Sequence, residues 1–226
     1  MCIRDRVQLD RFLAAGWYRR GQTLFTTHFV AVPEGLFDAP WLRLDLERHQ
    51  TRKSMRRILR RNADAFEIRE GAAIVDDERR ELMETFRLQF KGDYYDSLES
   101  ALFGENEVTS IFDTREIGLY RGGRLVGFSY FDAGAESAAS ILGIYDPEFS
   151  RFSLGLYTML LEIEWCQREG KKYYYPGYAV PGNSRFDYKL RLGNLDFLEP
   201  ISRKWKSWNE FPVSYTHLRA HETPIN

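Results

Sequence analysis

Residues 115–177 read REIGLYRGGRLVGFSYFDAGAESAASILGIYDPEFSRFSLGLYTMLLEIEWCQREGKKYYYPG. The segments 115–120, 125–132 and 140–145 have strand length and are rich in aromatic and aliphatic residues. Gly122-Gly123 stands between the first two as a tight hairpin turn, and Gly134 marks the next turn. Helical spacing takes over at 153–169, with Gly170 placed to end it. A short strand follows at 172–175, stopped by Pro176-Gly177.

Outward from this stretch, the pattern predicts a helix over 9–15 ending at Gly16, a strand over 22–32 and a turn at 33–35. A half-buried strand covers 41–46, where apolar and charged residues alternate. A basic helix occupies 47–62. A second helix over 76–90 is acidic outside, with Leu82, Met83, Phe86 and Phe90 for packing. Residues 94–107 form a loop or short helix over the site. Beyond the central stretch come a short helix over 186–192, closed by Gly193, and strands at 195–199 and 202–205. Three consecutive strands, a loop, a long helix and a further strand resemble the GNAT acyltransferase fold. That implies an α/β (α+β) chain with a mixed, mostly antiparallel sheet, splayed around an acyl-donor cleft and flanked by helices.

The 226 residues are 43% hydrophobic and 29% charged, ordinary values for a globular chain, but 15% are aromatic. The net charge of −1 gives no global nucleic-acid signal, so any such signal must come from local clustering. No apolar run approaches the roughly 20 residues a membrane span needs, and the N-terminus has no apolar signal core. The expectation is a monomer in the cytoplasm without membrane attachment. Cys2 and Cys166 form no Cys-x-x-Cys pair, so neither a disulfide framework nor a structural zinc site is expected. Residues 1–6 (MCIRDR) and 213–226 (VSYTHLRAHETPIN) resemble translated sequencing-adapter DNA, which leaves a single domain over 7–212. His217 and His221, spaced like helical metal ligands, fall in that tail, and no metal is expected.

Four features carry candidate chemistry. In Ser150-Arg-Phe-Ser-Leu-Gly-Leu156, a glycine at a helix start lets backbone N–H groups approach an anion or a developing oxyanion. Ser153, Leu154, Gly155 and Leu156 are the donor loop on this reading. The alternative is a plain serine cap with glycine used for close packing. Coenzyme A-binding GNAT loops have the form Arg/Gln-x-x-Gly-x-Gly/Ala. Arg151 and Gly155 resemble it, but the spacing is one longer and the second glycine is absent.

The second feature is the run Arg48, Arg52, Lys53, Arg56, Arg57, Arg60 and Arg61. On a helix Arg48, Arg52, Arg56 and Arg60 form one stripe, with Lys53, Arg57 and Arg61 beside it. Like charges at i, i+4 cost helix stability, so a one-sided stripe suggests an anionic partner such as a tRNA acceptor arm. The alternative is a solvated face paired with the acidic helix at 76–90. The third feature is Tyr173-Tyr-Tyr-Pro-Gly-Tyr178 with Phe186-Asp-Tyr-Lys-Leu190. Tyrosines can stack on a base such as the terminal adenosine, and Lys189 can meet phosphate or a leaving 3′-oxygen. Tyr173–Tyr175 also suits a core strand, whereas Tyr178 lies past the Pro-Gly turn. The fourth is Gly143-Ile-Tyr-Asp-Pro147 at a strand end. Asp146 there is either a base for an incoming amine, whose free pKa is about 7.7–8.0, or an Asp-Pro turn residue.

Lys53-Ser-Met-Arg-Arg57, Arg60-Arg-Asn62, Asp132 after Ser129-Tyr-Phe, Tyr145-Asp-Pro147, Ser153-Leu-Gly155, Tyr175-Pro-Gly-Tyr178 and Tyr188-Lys189 together resemble the aminoacyl-tRNA–protein transferases. The resemblance runs from about Gly16 to Trp205, with the blocks in family order. It implies transfer of arginine or leucine from aminoacyl-tRNA to a protein or peptide N-terminus, as a mark for N-degron proteolysis. Many relatives carry an N-terminal cysteine-containing segment, which these residues do not include. The implied mechanism is aminolysis of the tRNA ester. Asp146 holds and deprotonates the amine, Tyr178 or Lys189 assists the leaving oxygen, and Tyr145 and Tyr175 line the substrate pocket. Arg52, Lys53, Arg56, Arg57, Arg60, Arg61 and Arg151 bind tRNA. Aminoacyl-tRNA is a co-substrate, and no cofactor is called for. The alternatives are a coenzyme A-dependent N-acyltransferase and a non-catalytic RNA-binding module.

Overall fold

A computed structural model describes residues 6–32, 35–89, 95–104 and 110–212. In chain order the elements are α1 (Arg6–Ala14), β1 (Tyr18–Arg20), β2 (Thr23–Phe25), β3 (Phe29–Val32), β4 (Gly35–Asp38) and β5 (Trp41–Asp45). Next come α2 (Lys53–Ala63), β6 (Glu67–Ala72), α3 (Asp77–Gln89), α4 (Leu98–Leu102), β7 (Thr114–Arg121), β8 (Arg124–Ala133) and β9 (Ser137–Tyr145). A 3-10 turn (Pro147–Phe152) leads into α5 (Leu154–Arg168), then β10 (Tyr173–Tyr178), α6 (Ser184–Asp187), a 3-10 turn (Tyr188–Leu192), β11 (Leu195–Leu198) and β12 (Trp205–Ser207).

The main sheet has the order β12-β11-β5-β10-β9-β8-β7-β6. Among the described residues its only parallel pair is β9–β10, because α5 carries the chain back across the sheet between them. The β7–β8 hairpin turns on Gly122 and Gly123 at φ 58° and 81°, both in the left-handed region that the tightest hairpins demand. This is the mixed, mostly antiparallel GNAT-type sheet expected from the element order.

The decisive irregularity lies between β9 and β10. They pair only at Tyr173–Ser137, Tyr174–Ala138 and Tyr175–Ala139. β9 then runs on to Tyr145 against β8, while β10 follows β5 to Tyr178. The sheet therefore opens as a V toward the C-terminal ends of both strands. Pro176 sits just beyond the last paired residue, where a missing N–H breaks no β9–β10 bond. The register of β10 against β5 shifts between Tyr174 and Gly177, so the strand continues through Pro-Gly instead of stopping there.

Both faces of the sheet are covered. Ala138 and Tyr174 join Met55 and Ile58 of α2 and Leu156, Leu160 and Ile163 of α5 in one core. The alternate residues Ala139 and Tyr175 face the other way, into a cluster with Leu9 and Leu13 of α1, Tyr18 and Trp41. On that same side Leu82, Met83 and Phe86 of α3, with Leu98 and Leu102 of α4, pack on Phe128, Tyr130 and Leu142. Full burial of each such side chain stabilises by about 1.5–3 kcal/mol.

Several element boundaries differ from the sequence pattern. The stretch 22–32 is two strands in separate hairpins, β2 with β1 and β3 with β4. The short strands β1, β4 and β6 are additional, and the final strand is Trp205–Ser207, later than 202–205. The basic helix begins at Lys53, because Asp45 accepts the amides of Glu47 and Arg48 and turns the chain first. Phe90, Tyr94, the turn residues Pro33 and Glu34, Cys2, His217 and His221 lie outside the described residues. No helix among the described residues is long and apolar enough to cross a membrane.

Candidate active site

The open end of the V is built from three segments: the start of α5, the end of β9, and the end of β10 with the turn after α6. Ser153, before α5, is held at φ 57° and ψ 47°, left-handed values that cost a non-glycine residue about 1–2 kcal/mol. Its hydroxyl caps no helical amide, so a plain serine cap does not explain it. The amides of Leu156 and Tyr157 donate to the Ser153 carbonyl, and the Ser153 amide to Ser150. Among the described residues the amides of Leu154 and Gly155 have no acceptor. Of the expected donors, then, Leu154 and Gly155 are open while Ser153 and Leu156 are committed.

Gly155 is not demanded by packing. A Cβ there would meet only the Tyr145 ring, at 3.6 Å, an ordinary contact. Glycine early in a helix costs stability relative to alanine, so the bare position makes sense as clearance for a ligand. Tyr145 packs against both the α5-side core and the α3-side core, edge-on to Phe86 at 5.2 Å. It stands at the V in contact with both sides of the sheet.

Across the gap, Tyr178 lies stacked with Phe186 at 5.6 Å and edge-on to Trp41 at 5.3 Å. Burial raises its hydroxyl pKa, and the nearby Arg20 charge partly offsets this. Lys189 donates from Nζ to the Tyr178 carbonyl at 3.1 Å and lies 5.5 Å from the Tyr178 ring centre. Its burial pushes the ammonium down to about pKa 8, because no described carboxylate offsets the lost hydration. A lysine near neutrality can both give and take a proton.

Two expected site residues have other duties. Both Asp146 oxygens are engaged: Oδ1 accepts the Glu148 amide at 3.0 Å and Oδ2 pairs with Arg124 at 2.8 Å. This is the Asp-Pro turn role, and it leaves no lone base facing the gap. Tyr175 is buried among Tyr18, Tyr173 and Trp205 in the core facing away from α5; alternation along β10 removes it from the pocket. A buried acid went unnoticed in the sequence: Glu162 on α5 accepts the Tyr174 hydroxyl at 2.7 Å, and burial lifts its pKa to about 7. It ties α5 to β10 at the closed end of the V. Its i+8 spacing from Leu154 marks only a buried face, so nothing in the sequence distinguished it.

On the α5 side of the sheet, α2 presents Lys53, Arg56, Arg57, Arg60 and Arg61 to solvent, with exposed Arg52 at its N-cap, while Met55, Ile58 and Asn62 are buried. None of these six charges has a described carboxylate within ion-pair distance. Asp76, just before α3, and Asp77 and Glu84 within it are used elsewhere, by Arg79, Arg80 and Arg87. Pairing of the two helices is thereby ruled out, as they lie on opposite faces. Arg48, expected in the stripe, sits before the helix and pairs with Asp45 and Asp196.

The basic helix is fastened to the donor loop. Asn62 Nδ2 and Arg61 both donate to the Phe152 carbonyl, at 2.9 and 2.7 Å. Guanidinium groups of Arg61, Arg121 and Arg151 surround the Phe152 ring at 5.6, 5.7 and 4.9 Å. Asn62→Leu removes the buried donor and leaves the Phe152 carbonyl to Arg61 alone, so it is expected to cost about 0.5–1.5 kcal/mol. A lowered urea midpoint checks this; an unchanged midpoint would show the clamp to be dispensable. Among the described residues no group of three or more His, Cys, Asp or Glu is arranged to hold a metal.

The chain is similar to known proteins. A family model described as arginine-tRNA-protein transferase, C terminus, matches residues 78–199. The aspartate/glutamate leucyltransferase of Leptospira interrogans is 23% identical over 214 residues, covering 92% of this chain and 81% of the relative. That of Stenotrophomonas maltophilia is 28% identical over 204 residues, covering 87% and 78%. Among solved structures, the C-terminal domain (DUF2156) of an Agrobacterium fabrum protein assigned as a lysylphosphatidylglycerol synthetase superposes with TM-score 0.54 at 12% identity. That match covers 75% of this chain and 58% of the other, and is a likeness of fold alone. The matched span runs from α3 through the V, the donor loop and Lys189 to the end of β11, and the chain belongs to the arginine-tRNA-protein transferase family of aminoacyltransferases.

Proposed function

We propose that this protein transfers an aminoacyl group from aminoacyl-tRNA to the N-terminal α-amine of acceptor proteins and so marks them for N-degron proteolysis. The observation that carries the reading is the pair of acceptor-less amides at Leu154 and Gly155, fastened through Asn62 to an unpaired basic helix. Phosphates of the acceptor arm lie along Arg52, Lys53, Arg56, Arg57, Arg60 and Arg61, with Arg151 nearer the gap. The terminal adenosine and its ester enter the V beside Tyr145. The relatives' names favour leucine as the transferred residue and aspartate or glutamate as the acceptor, with arginine the second donor to examine.

The acceptor nitrogen attacks the ester carbonyl carbon and the carbonyl oxygen gains charge. The Leu154 and Gly155 amides stabilise that oxyanion, each such donor being worth about 10²–10³ in rate. Collapse breaks the bond to the 3′-oxygen, which takes a proton from the Lys189 ammonium. The proton shed by the new amide nitrogen returns to Lys189. The tRNA ester is already activated, so positioning and fixed dipoles supply the rest.

Donor choice tests this reading against coenzyme A chemistry. Purified protein is given an Asp-initiated peptide with either Leu-tRNA or acetyl-coenzyme A. Modification from Leu-tRNA alone is expected; modification from the thioester alone would overturn the proposal.

A further inference from the structure

The geometry points to Arg20 as the residue that selects acidic acceptors, by pairing with the side-chain carboxylate of the acceptor's first residue; this rests on the transferase reading above. Arg20 ends β1 on the face of the sheet away from α5 and α2. It is exposed, and no described carboxylate or hydrogen-bond acceptor engages it. Its guanidinium lies 5.5 Å from the Tyr95 ring centre, and its charge is felt at the Tyr178 hydroxyl.

The position is rigid. The neighbouring Arg19 is buried, paired with Asp132 at 2.8 Å and bonded to the Leu102 carbonyl and Thr114. Gly21 donates to Ala101 of α4, and a Cβ there would come within 3.0 Å of Gly104 and of the Ser100 carbonyl. The β1–β2 turn is thus pressed on α4. Tyr18, two residues before Arg20, stacks on Trp41 at 3.7 Å, and Trp41 meets Tyr178. An exposed guanidinium with no described ionic partner, carried on a rigidly held strand beside aromatic rings, suits a carboxylate, which it can grip with two parallel hydrogen bonds.

The side of the sheet assigns the partner. The unpaired tRNA-binding charges are on the α5 side, and Arg20 opens on the α3–α4 side. The V joins the two. Donor and acceptor therefore approach from opposite faces, and Arg20 stands where the acceptor enters.

Transfer to peptides beginning with Asp, Glu or Lys is measured for the wild type, Arg20→Ala, Arg20→Lys and Arg20→Glu. For Arg20→Ala, kcat/KM on Asp and Glu peptides is expected to fall about 10- to 100-fold, mostly through the peptide KM. The KM for Leu-tRNA stays unchanged. Arg20→Lys recovers part of the loss, and Arg20→Glu turns the preference toward the Lys peptide. Equal loss on every peptide, a raised KM for Leu-tRNA, or no change would overturn the assignment, the second outcome making Arg20 a phosphate contact. Calorimetric binding of the Asp peptide to the same four proteins keeps the questions apart. If the wild type transfers nothing but binds acidic peptides through Arg20, the transferase reading fails and this one stands.

Discussion

Replacing Lys189 by methionine is expected to lower transfer about 10²- to 10⁴-fold, the usual contribution of a positioned acid–base group, while making the protein more stable. The two effects share one cause. The folded-state pKa of about 8 lies below the ordinary lysine value of 10.5. At pH 7 both folded and unfolded forms carry the charge, so the penalty for burying it is fully present. Stability then rises as pH climbs from about 8 toward 10.5, where the unfolded chain holds the proton that the folded one has released. Methionine removes the penalty, and a gain of order 1 kcal/mol raises the melting temperature by about 2–4 °C at this size. Activity has its own pH signature. It rises as the acceptor amine, with a free pKa of about 7.7–8.0, loses its proton. It falls again as Lys189 loses the proton needed by the leaving oxygen. The wild type is thus expected to show a narrow bell near pH 8, and Lys189→Met a residual rate without the alkaline limb. A variant that melts lower, or a rate still climbing at pH 9.5, contradicts the assignment of Lys189.

Removing charge from α2 has the second large effect. Lys53→Ala, Arg57→Ala and Arg60→Ala combined leave the buried Met55, Ile58 and Asn62 untouched. Each phosphate contact adds about 0.7–0.9 to the slope of log affinity against log salt. The triple variant is therefore expected to lower that slope by about 2–3 and to raise the KM for aminoacyl-tRNA on the order of 100-fold, with kcat preserved. Like charges at i, i+4 destabilise a helix by a few tenths of a kcal/mol per pair, so the variant should be no less stable than its parent. An unchanged salt slope would remove α2 from the tRNA interface.

The sheet was legible where the sequence obeyed one period at a time. Residues 114–145 fall into aromatic and aliphatic runs of strand length parted at glycines, and 154–168 keep helical spacing up to Gly170. Short strands such as β1 and β4 are only three or four residues long, too few for a period to emerge. The basic helix was legible as a charge stripe, but Asp45's hold on the next turn is a tertiary detail that moved its start by six residues, from 47 to 53. For the candidate site, the aromatic-basic motif singled out Tyr178 and Lys189, and the structure brings the two together. Asp146 resembled a base because an acid at a strand end does; Arg124, distant in sequence, is what occupies it. Arg20 carried no signal at all, since an exposed arginine in a three-residue strand looks like any surface charge.

The most direct measurement is the mass of an Asp-initiated peptide after one turnover with purified Leu-tRNA and an excess of protein. The expected result is a product heavier by one leucine residue, joined at the peptide's α-nitrogen, with uncharged tRNA released in equal amount. Lys189→Met should slow its appearance without weakening binding of the Leu-tRNA. A folded wild-type protein that binds Leu-tRNA yet leaves the peptide unmodified, with Arg-tRNA failing as well, would contradict transfer at the V.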